Sequence, residues 1–475
     1  MESSTNIRAF TVLSVAMAIG IIIRQMEWSS LIPQPESQIF PSSISGADLW
    51  CSLSPIFFVA GAVIGALLSG PVWRCFDSRL SMAFFDTVLI GGLSIVTLPV
   101  TSTELMVASR LLLGIGSGAM SAIVPAYVGE ISHPKFRGRM GILFYAVMVM
   151  GIVISDVFGS FKQYDIHQPF SIPFNVYCSL FIKLHSIGLC FVPKLPYSTS
   201  NNFLEPNHSN DESLSTINLL GEPFRMDVLH SMVSMFSDYH NTYRRSSWHI
   251  LDAFSCRADR KALLIGVGCM FFHQMCGINV MISYMFPVMK MADIDVDPKM
   301  VSIAMGIVQV IMMLVAIFII DSKGRRMLLI YSAVIMCLCL VGLAFCIIIK
   351  MQLNATTFND ISMILIMFFI MAYSLGFGPV PWVILGEIFS TKVKSYGISF
   401  ATAINWLLVL ASAYFPYEMN KFFEIEYIFL FYFVLCLCGA LFVWRFLPET
   451  KQFSLIDVQR QLDIDYEHIN YIPAV

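Results

Sequence analysis

The chain has 475 residues, 57% hydrophobic and 13% charged, with a formal net charge of −3. A soluble domain carries about 25% charged residues, so this composition excludes an ordinary water-facing surface and calls for one that meets lipid. The near-neutral balance lacks the basic excess that nucleic-acid binding needs, and no nucleic-acid partner is expected.

The first ten residues, MESSTNIRAF, begin polar and turn apolar at Phe10. No small-residue cleavage pattern closes that run, which reads as a retained first helix rather than a signal peptide. A membrane-crossing helix needs ~20 mostly apolar residues. Twelve stretches qualify: 9–27, 50–72, 81–101, 104–129, 139–160, 174–193, 262–289, 300–320, 327–349, 360–385, 396–416 and 426–447. The sixth is the least regular, because Lys183 and His185 interrupt it.

The spans fall into six plus six. Between them lies the one long hydrophilic segment, rich in Ser, Asn, Asp, Glu and Arg, in which MDVLHSMVSMF has apolar residues at helical spacing. The expected organisation is an N-terminal six-helix bundle over 1–196, a cytoplasmic linker over 197–260, a C-terminal bundle over 261–447 and a cytoplasmic tail over 448–475.

Lys and Arg favour the cytoplasmic side of a membrane. Leaving out the linker, the loops after spans 2, 4, 8 and 10 carry Arg74, Arg79, Lys135, Arg137, Arg139, Lys323, Arg325, Arg326, Lys392 and Lys394. The opposite loops carry Lys162, Lys290, Lys299, Lys350 and Lys421. Ten against five puts both termini in the cytoplasm. The acceptor sequon at Asn354 then lies on the outer side, whereas the one at Asn207 falls in the linker and should go unused. The twelve cysteines are scattered, mostly through apolar runs, without CxxC or zinc spacing, and read as small buried hydrophobes. With no nucleotide loop, metal cluster or nucleophile–base pair, neither enzymatic activity nor a cofactor is expected.

The two halves echo each other. GPVWRCFDSRL follows span 2 and DSKGRRMLL follows span 8; GEISHPKFRGRMG follows span 4 and GEIFSTKVKSYG follows span 10. A duplicated six-helix unit is a transporter architecture, with the solute site near the midplane between the halves. The stretch RLLLGIGSGAMSAIVPAYVGEISHPKFRGRMG closely resembles the sugar-porter signature of the major facilitator superfamily. QMCGIN at 274–279, DSKGRR at 321–326, GFGPVPW at 376–382 and PETK at 448–451 resemble that family's further motifs, in order along nearly the whole chain. The pattern is most similar to the animal glucose and trehalose facilitators.

The resemblance implies an all-α membrane protein of twelve helices in two bundles that rock about a central site. It implies a small sugar as the solute, the bilayer as surroundings, a plasma-membrane location and function as a monomer. Charged motifs would latch the bundles on the cytoplasmic side: Glu130 and Glu387 as the acids, Arg110, Arg137, Arg325 and Arg326 as the bases, Lys394 where Arg is usual, and Glu449 in the PETK element. Charges at a membrane edge are costly unless paired, and a pair that breaks in one state biases a two-state equilibrium. For Arg74 and Lys392 the plainer role of topology marker is preferred.

By motif position the sugar would meet His273, Gln274 and Asn279 in span 7, Gln309 in span 8, Trp382 in span 10, Asn405 and the adjoining Trp406 in span 11, and Tyr145 in span 5, where the family has Gln. Neutral amides bond several hydroxyls without the desolvation cost of a charge, and aromatic rings cover a sugar's apolar faces. Such groups also bond neighbouring helices in membrane bundles. On a straight helix His273, Gln274 and Asn279 point in different directions, which predicts a break near Gly277. Gly114, Gly116 and Gly118 let helices approach closely, and Gly376, Gly378, Pro379 and Pro381 interrupt span 10 as a flexible gate.

Several positions depart from the family pattern. Arg74, Asp77, Ser78 and Arg79 replace the usual first-half loop, Pro193-Lys194-Leu195-Pro196-Tyr197 lacks an acidic latch residue, and His273 and Ser374 stand where Gln and an acid are usual. Arg24 and Glu27 lie near the far end of span 1, and no acidic residue sits well inside it. Asp156 in span 5 is an isolated intramembrane carboxylate, a functional candidate by default. Facilitated diffusion is the expected mode; a proton-coupled symporter and a non-transporting sugar sensor are the alternatives.

Overall fold

The computed structural model describes residues 46–76, 78–97, 103–132, 135–161, 256–291, 298–353, 357–391, 393–453 and 455–463. The expected spans at 9–27 and 174–193, the linker, Lys392 and both sequons lie outside the described residues. Every described element is helical, as apolar surroundings require, because a helix satisfies its backbone hydrogen bonds internally.

Four helices come from the first half: α1 (Gly46–Cys75), α2 (Ser78–Thr97), α3 (Thr103–Ile131) and α4 (Arg137–Phe161). The second half supplies α5 (Arg257–Met275), α6 (Ile278–Met291), α7 (Pro298–Lys323), α8 (Arg325–Leu353), α9 (Thr357–Leu375), α10 (Val380–Ile388), α11 (Lys394–Met419) and α12 (Ile425–Phe446). A short α13 (Leu455–Asp463) follows. Ten stretches among the described residues are long and apolar enough to cross a membrane. Spans 7 and 10 are each built from two helices, α5 with α6 and α9 with α10.

The lipid-facing character explains the composition. Along α7, Ile307, Ile311, Leu314 and Phe318 recur at helical spacing and are exposed, while Met305, Met313, Ala316 and Ile320 on other faces are buried. A helix apolar all round is what a membrane span looks like. On α1 and α3 the small residues do the expected work: a methyl group at Gly61, Gly65, Gly114 or Gly118 would strike the backbone of the facing helix. Gly116 turns the other way, toward Leu89 of α2.

The halves meet along pairs of helices within one compact unit. α1 lies against α11, α4 against α7, and α3 against α10 and α11. Glycines again allow close approach of two backbones: a Cβ on Gly129 would lie 2.9 Å from the carbonyl oxygen of Gly386. The tail contributes more than the polar segment expected from sequence. Leu455, Val458 and Leu462 share one face of α13, and the last two are buried. Gln459 Nε2 donates to Ile388 O at 2.5 Å and Lys261 Nζ to Leu462 O at 2.9 Å, tying α13 to α10 and α5.

Candidate solute cavity and charge network

Both helix breaks have local causes. Gly277 has φ +95°, a conformation that only glycine adopts readily. A side chain there would also press on the ring of Tyr432, since a Cβ would come within 2.9 Å of it. The break expected near Gly277 is therefore present between Met275 and Ile278. The carbonyl it frees at Cys276 accepts from Cys436 Sγ at 3.3 Å.

In span 10, Pro379 and Pro381 lack N–H donors, so the helix cannot run through. Gly378 N reaches back to Tyr373 O at 2.8 Å. The remaining groups are met from other helices. Ser332 Oγ of α8 donates to Ala372 O at 2.7 Å and receives Phe377 N at 3.3 Å. His273 of α5 lies 2.7 Å through Nδ1 from Phe377 O. A carbonyl only accepts, so Nδ1 carries the proton, and in the neutral ring Nε2 is left as an acceptor. His273 is thus a strut between the two broken spans.

These breaks surround a cavity of about 180 Å³. His273, Gln274, Asn279, Gln309, Trp382, Asn405, Trp406 and Tyr145 all line it. Gln274 Nε2 donates to Asn405 Oδ1 at 3.2 Å, and Asn279 Nδ2 to Ser412 Oγ at 2.7 Å. The first bond leaves Asn405 with its N–H groups and Gln274 with its carbonyl oxygen for other partners. Around His273 stand Tyr145, Tyr373 and Trp382, with ring centroids 6.1, 5.9 and 6.0 Å away. Trp406 instead spends its N–H across the halves, donating to Ser121 Oγ at 3.1 Å.

Trp382 differs. It is 6% exposed, and its indole nitrogen is a buried donor with no partner among the described residues. Leaving such a donor unmet costs about 1–3 kcal/mol. A solute oxygen in the cavity would remove that cost.

Sequence reasoning missed Ser121, Tyr373 and Ser302 as lining residues. Ser302 and Gln309 lie seven residues apart on one face of α7, a spacing that could have singled out Ser302. Nothing in the sequence marks Ser121 or Tyr373.

At one end of the bundle lies the charge network. Arg325, with its side chain 1% exposed, grips Glu387 through two bonds, Nη2–Oε1 at 2.7 Å and Nε–Oε2 at 3.1 Å. Its Nη1 also meets Asp321 Oδ1 at 3.1 Å. Asp321 reaches across to the first half, where Arg139 Nε lies 3.1 Å from Oδ2. Lys394 pairs with Glu130, again across the halves, at 3.3 Å. Glu449 caps the start of α8, its two oxygens accepting from Arg325 N at 2.9 Å and Arg326 N at 3.1 Å. Gly324, at φ +90°, makes the turn that presents those amides. Thr450 Oγ1 donates to Glu387 Oε2 at 2.5 Å, and Arg326 donates to Trp444 O.

Of the expected acids and bases, Glu130, Glu387, Arg137, Arg325, Lys394 and Glu449 come together at this end. Glu130 meets Lys394 of the other half, while Glu387 meets Arg325 of its own. Arg137 is buried close to Glu387 and Arg325. Arg110 is half-buried on α3. Arg139 and Asp321 were not among the expected latch residues, although both stand inside the quoted motifs.

A model of the family described as Sugar (and other) transporter matches residues 15–462. The facilitated trehalose transporter Tret1 of Bombyx mori is 27% identical over 405 residues, 84% of this chain and 77% of that protein. The canine solute carrier family 2, facilitated glucose transporter member 3, is 26% identical over 437 residues, 90% of this chain and 85% of that one. Among solved structures, the major facilitator superfamily proton:xylose symporter XylE bound to 6-bromo-6-deoxy-D-glucose superposes with a TM-score of 0.73 at 19% identity, covering 96% of this chain and 99% of the other. The all-helical fold is that of this superfamily.

Proposed function

Because the chain belongs to the Sugar (and other) transporter family, whose members are carriers rather than enzymes, we propose that it moves a hexose or a trehalose-like sugar by alternating access and facilitated diffusion. The observation that carries this reading is Trp382: a buried indole N–H without a partner among the described residues, beside neutral amides, in a cavity between the two halves. A sugar supplies the acceptor oxygens that the indole and Asn405 need and the hydroxyls that Gln274 and His273 can receive. The rings around His273 give its apolar face a wall. Neutral contacts of this kind bind without trapping.

Facilitated diffusion is favoured by the lack of an acidic residue well inside the first span. In the same reading the bundles over 1–196 and 261–447 rock against each other, and the charged end, with both termini, faces the cytoplasm. The plasma membrane is the site of action, the monomer is the working unit, and Asn354 is the glycosylated sequon. The ion pairs that cross the halves, Glu130–Lys394 and Arg139–Asp321, hold the cytoplasmic side shut while the cavity is open to the outside.

Uptake of labelled mono- and disaccharides into proteoliposomes, with and without a proton gradient, tests this. The expected result is saturable uptake of at least one sugar, independent of the gradient, and its loss in Gln274→Ala and Trp382→Ala. Unchanged uptake in both variants contradicts the site; gradient-driven accumulation contradicts facilitated diffusion; sugar binding without flux points to a sensor.

A further inference from the structure

Tyr145 reaches across the cavity. It projects from α4, in the first half, and its ring meets both broken spans of the second. His273 of α5 lies edge to face with it, the ring centroids 6.1 Å apart at 77°. The hydroxyl of Tyr145 lies beside that of Tyr373 of α9, and Tyr373 Oη is in turn 3.3 Å from His273 Nδ1. A Cβ on Gly378, in the turn between α9 and α10, would lie 3.4 Å from Tyr145 Cε1. Tyr145 is 8% exposed and Tyr373 4%. Arg137, at the start of α4, lies eight residues before Tyr145, roughly 12 Å of helix. The ring of Tyr145 therefore bounds the cavity on the side toward the charge network.

The groups that would bond a sugar, Gln274, Trp382 and Asn405, line the same cavity. A ring held by them meets Tyr145 on the network side. In the other direction along α4 the next lining side chains are Met148, Val149 and Ile152, all apolar. Hydroxyls taken out of water against such groups are left without partners, at a cost. The whole cavity measures about 180 Å³, below the roughly 300–1,000 Å³ of most small-molecule sites. One pyranose ring suits these terms, whereas a second ring needs the space that Tyr145 fills.

We propose that Tyr145 is a specificity-determining residue that limits the solute to a monosaccharide, its ring closing the cavity against His273 and Gly378 where the second ring of a disaccharide would lie. This rests on the sugar-carrier reading above and narrows it. A ring that served only to pack α4 on the second half would change the affinity for all sugars alike and leave their ratio untouched.

The test is equilibrium binding of labelled glucose to the purified protein in detergent, displaced by unlabelled glucose or by trehalose, so that no variant has to complete a transport cycle. In the parent, trehalose should displace the label only at a concentration roughly tenfold or more above that for glucose, since excess volume forced into a packed site is unfavourable. Tyr145→Ala should lower that ratio at least about threefold, and Tyr145→Phe, which keeps the ring, should preserve it. A parent that binds trehalose as well as glucose overturns the assignment without any variant. A ratio unmoved in folded Tyr145→Ala overturns it too; where that variant does not fold, the slimmer Tyr145→Gln carries the same expectation. Folded parent protein that binds neither sugar overturns the sugar-carrier reading, and this assignment with it.

Discussion

The cavity and the charge network sit in the same bundle of helices and solve opposite problems. The network is ionic: Arg325, Glu387 and Asp321 are almost wholly buried, and each charge has an opposite one within 3.1 Å. The inner part of the cavity is neutral, built from amides, an imidazole and aromatic rings, with the Trp382 donor unmet among described residues. Strong pairs suit contacts that hold one closed state, since they cost little only while intact. Weak neutral contacts suit a site that must bind and release in every cycle.

The largest effect should come from the network. Arg325→Ala leaves Glu387 and Asp321 buried without their partner, a cost of about 3–5 kcal/mol. Thermal unfolding in detergent should fall steeply, and uptake with it. A variant that melts like the parent would show that these charges are solvated after all.

Trp382→Phe should do the reverse. It keeps an aromatic wall and removes the N–H, which bonds no described protein group, so stability should hold. The KM for sugar should rise about fivefold, the worth of one hydrogen bond of about 1 kcal/mol. A lowered melting temperature with unchanged KM would make the indole a packing group instead.

His273 lies between the two cases. His273→Gln can still donate to Phe377 O and should retain most uptake, whereas His273→Ala leaves that carbonyl unmet and costs about 1–3 kcal/mol. Equal loss in both would mean that a glutamine cannot stand in for the ring's bond to Phe377 O and its contact with the solute. The smallest effect should be at Lys421 and Glu418, an exposed pair at 2.7 Å with side chains 48% and 54% exposed. Lys421→Ala should shift stability by no more than about 0.5 kcal/mol, and a larger shift would mean that exposure is a poor guide to what these ion pairs are worth.

Much of this was legible in the sequence because a bilayer imposes simple rules. Length and hydropathy located the described spans, and loop charges located the network. The break at Gly277 followed from helix geometry once the family resemblance had assigned His273, Gln274 and Asn279 to one cavity, because one straight face cannot carry all three. What stayed hidden depends on contacts distant in the chain. Glu130 and Lys394 are each flanked by closer charges in sequence, so nothing marked them as partners. Ser121 entered the site only because Trp406 reaches it from the other half, and Ser302 only because α7 packs on α4. The commitment of His273 to Phe377 O needed the second break as well as the first. The tail helix escaped notice because nine residues with three apolar positions on one face make a weak signal on their own.

The central claim is alternation of access around this cavity, and solute counterflow tests it most directly. Proteoliposomes holding the purified protein would be loaded with unlabelled glucose or trehalose and diluted into a trace of the same labelled sugar. The account predicts a transient overshoot, with labelled sugar rising above its equilibrium level before it decays, and loss of that overshoot in Gln274→Ala. Simple equilibration without overshoot, or no entry of any sugar by folded protein, would contradict it.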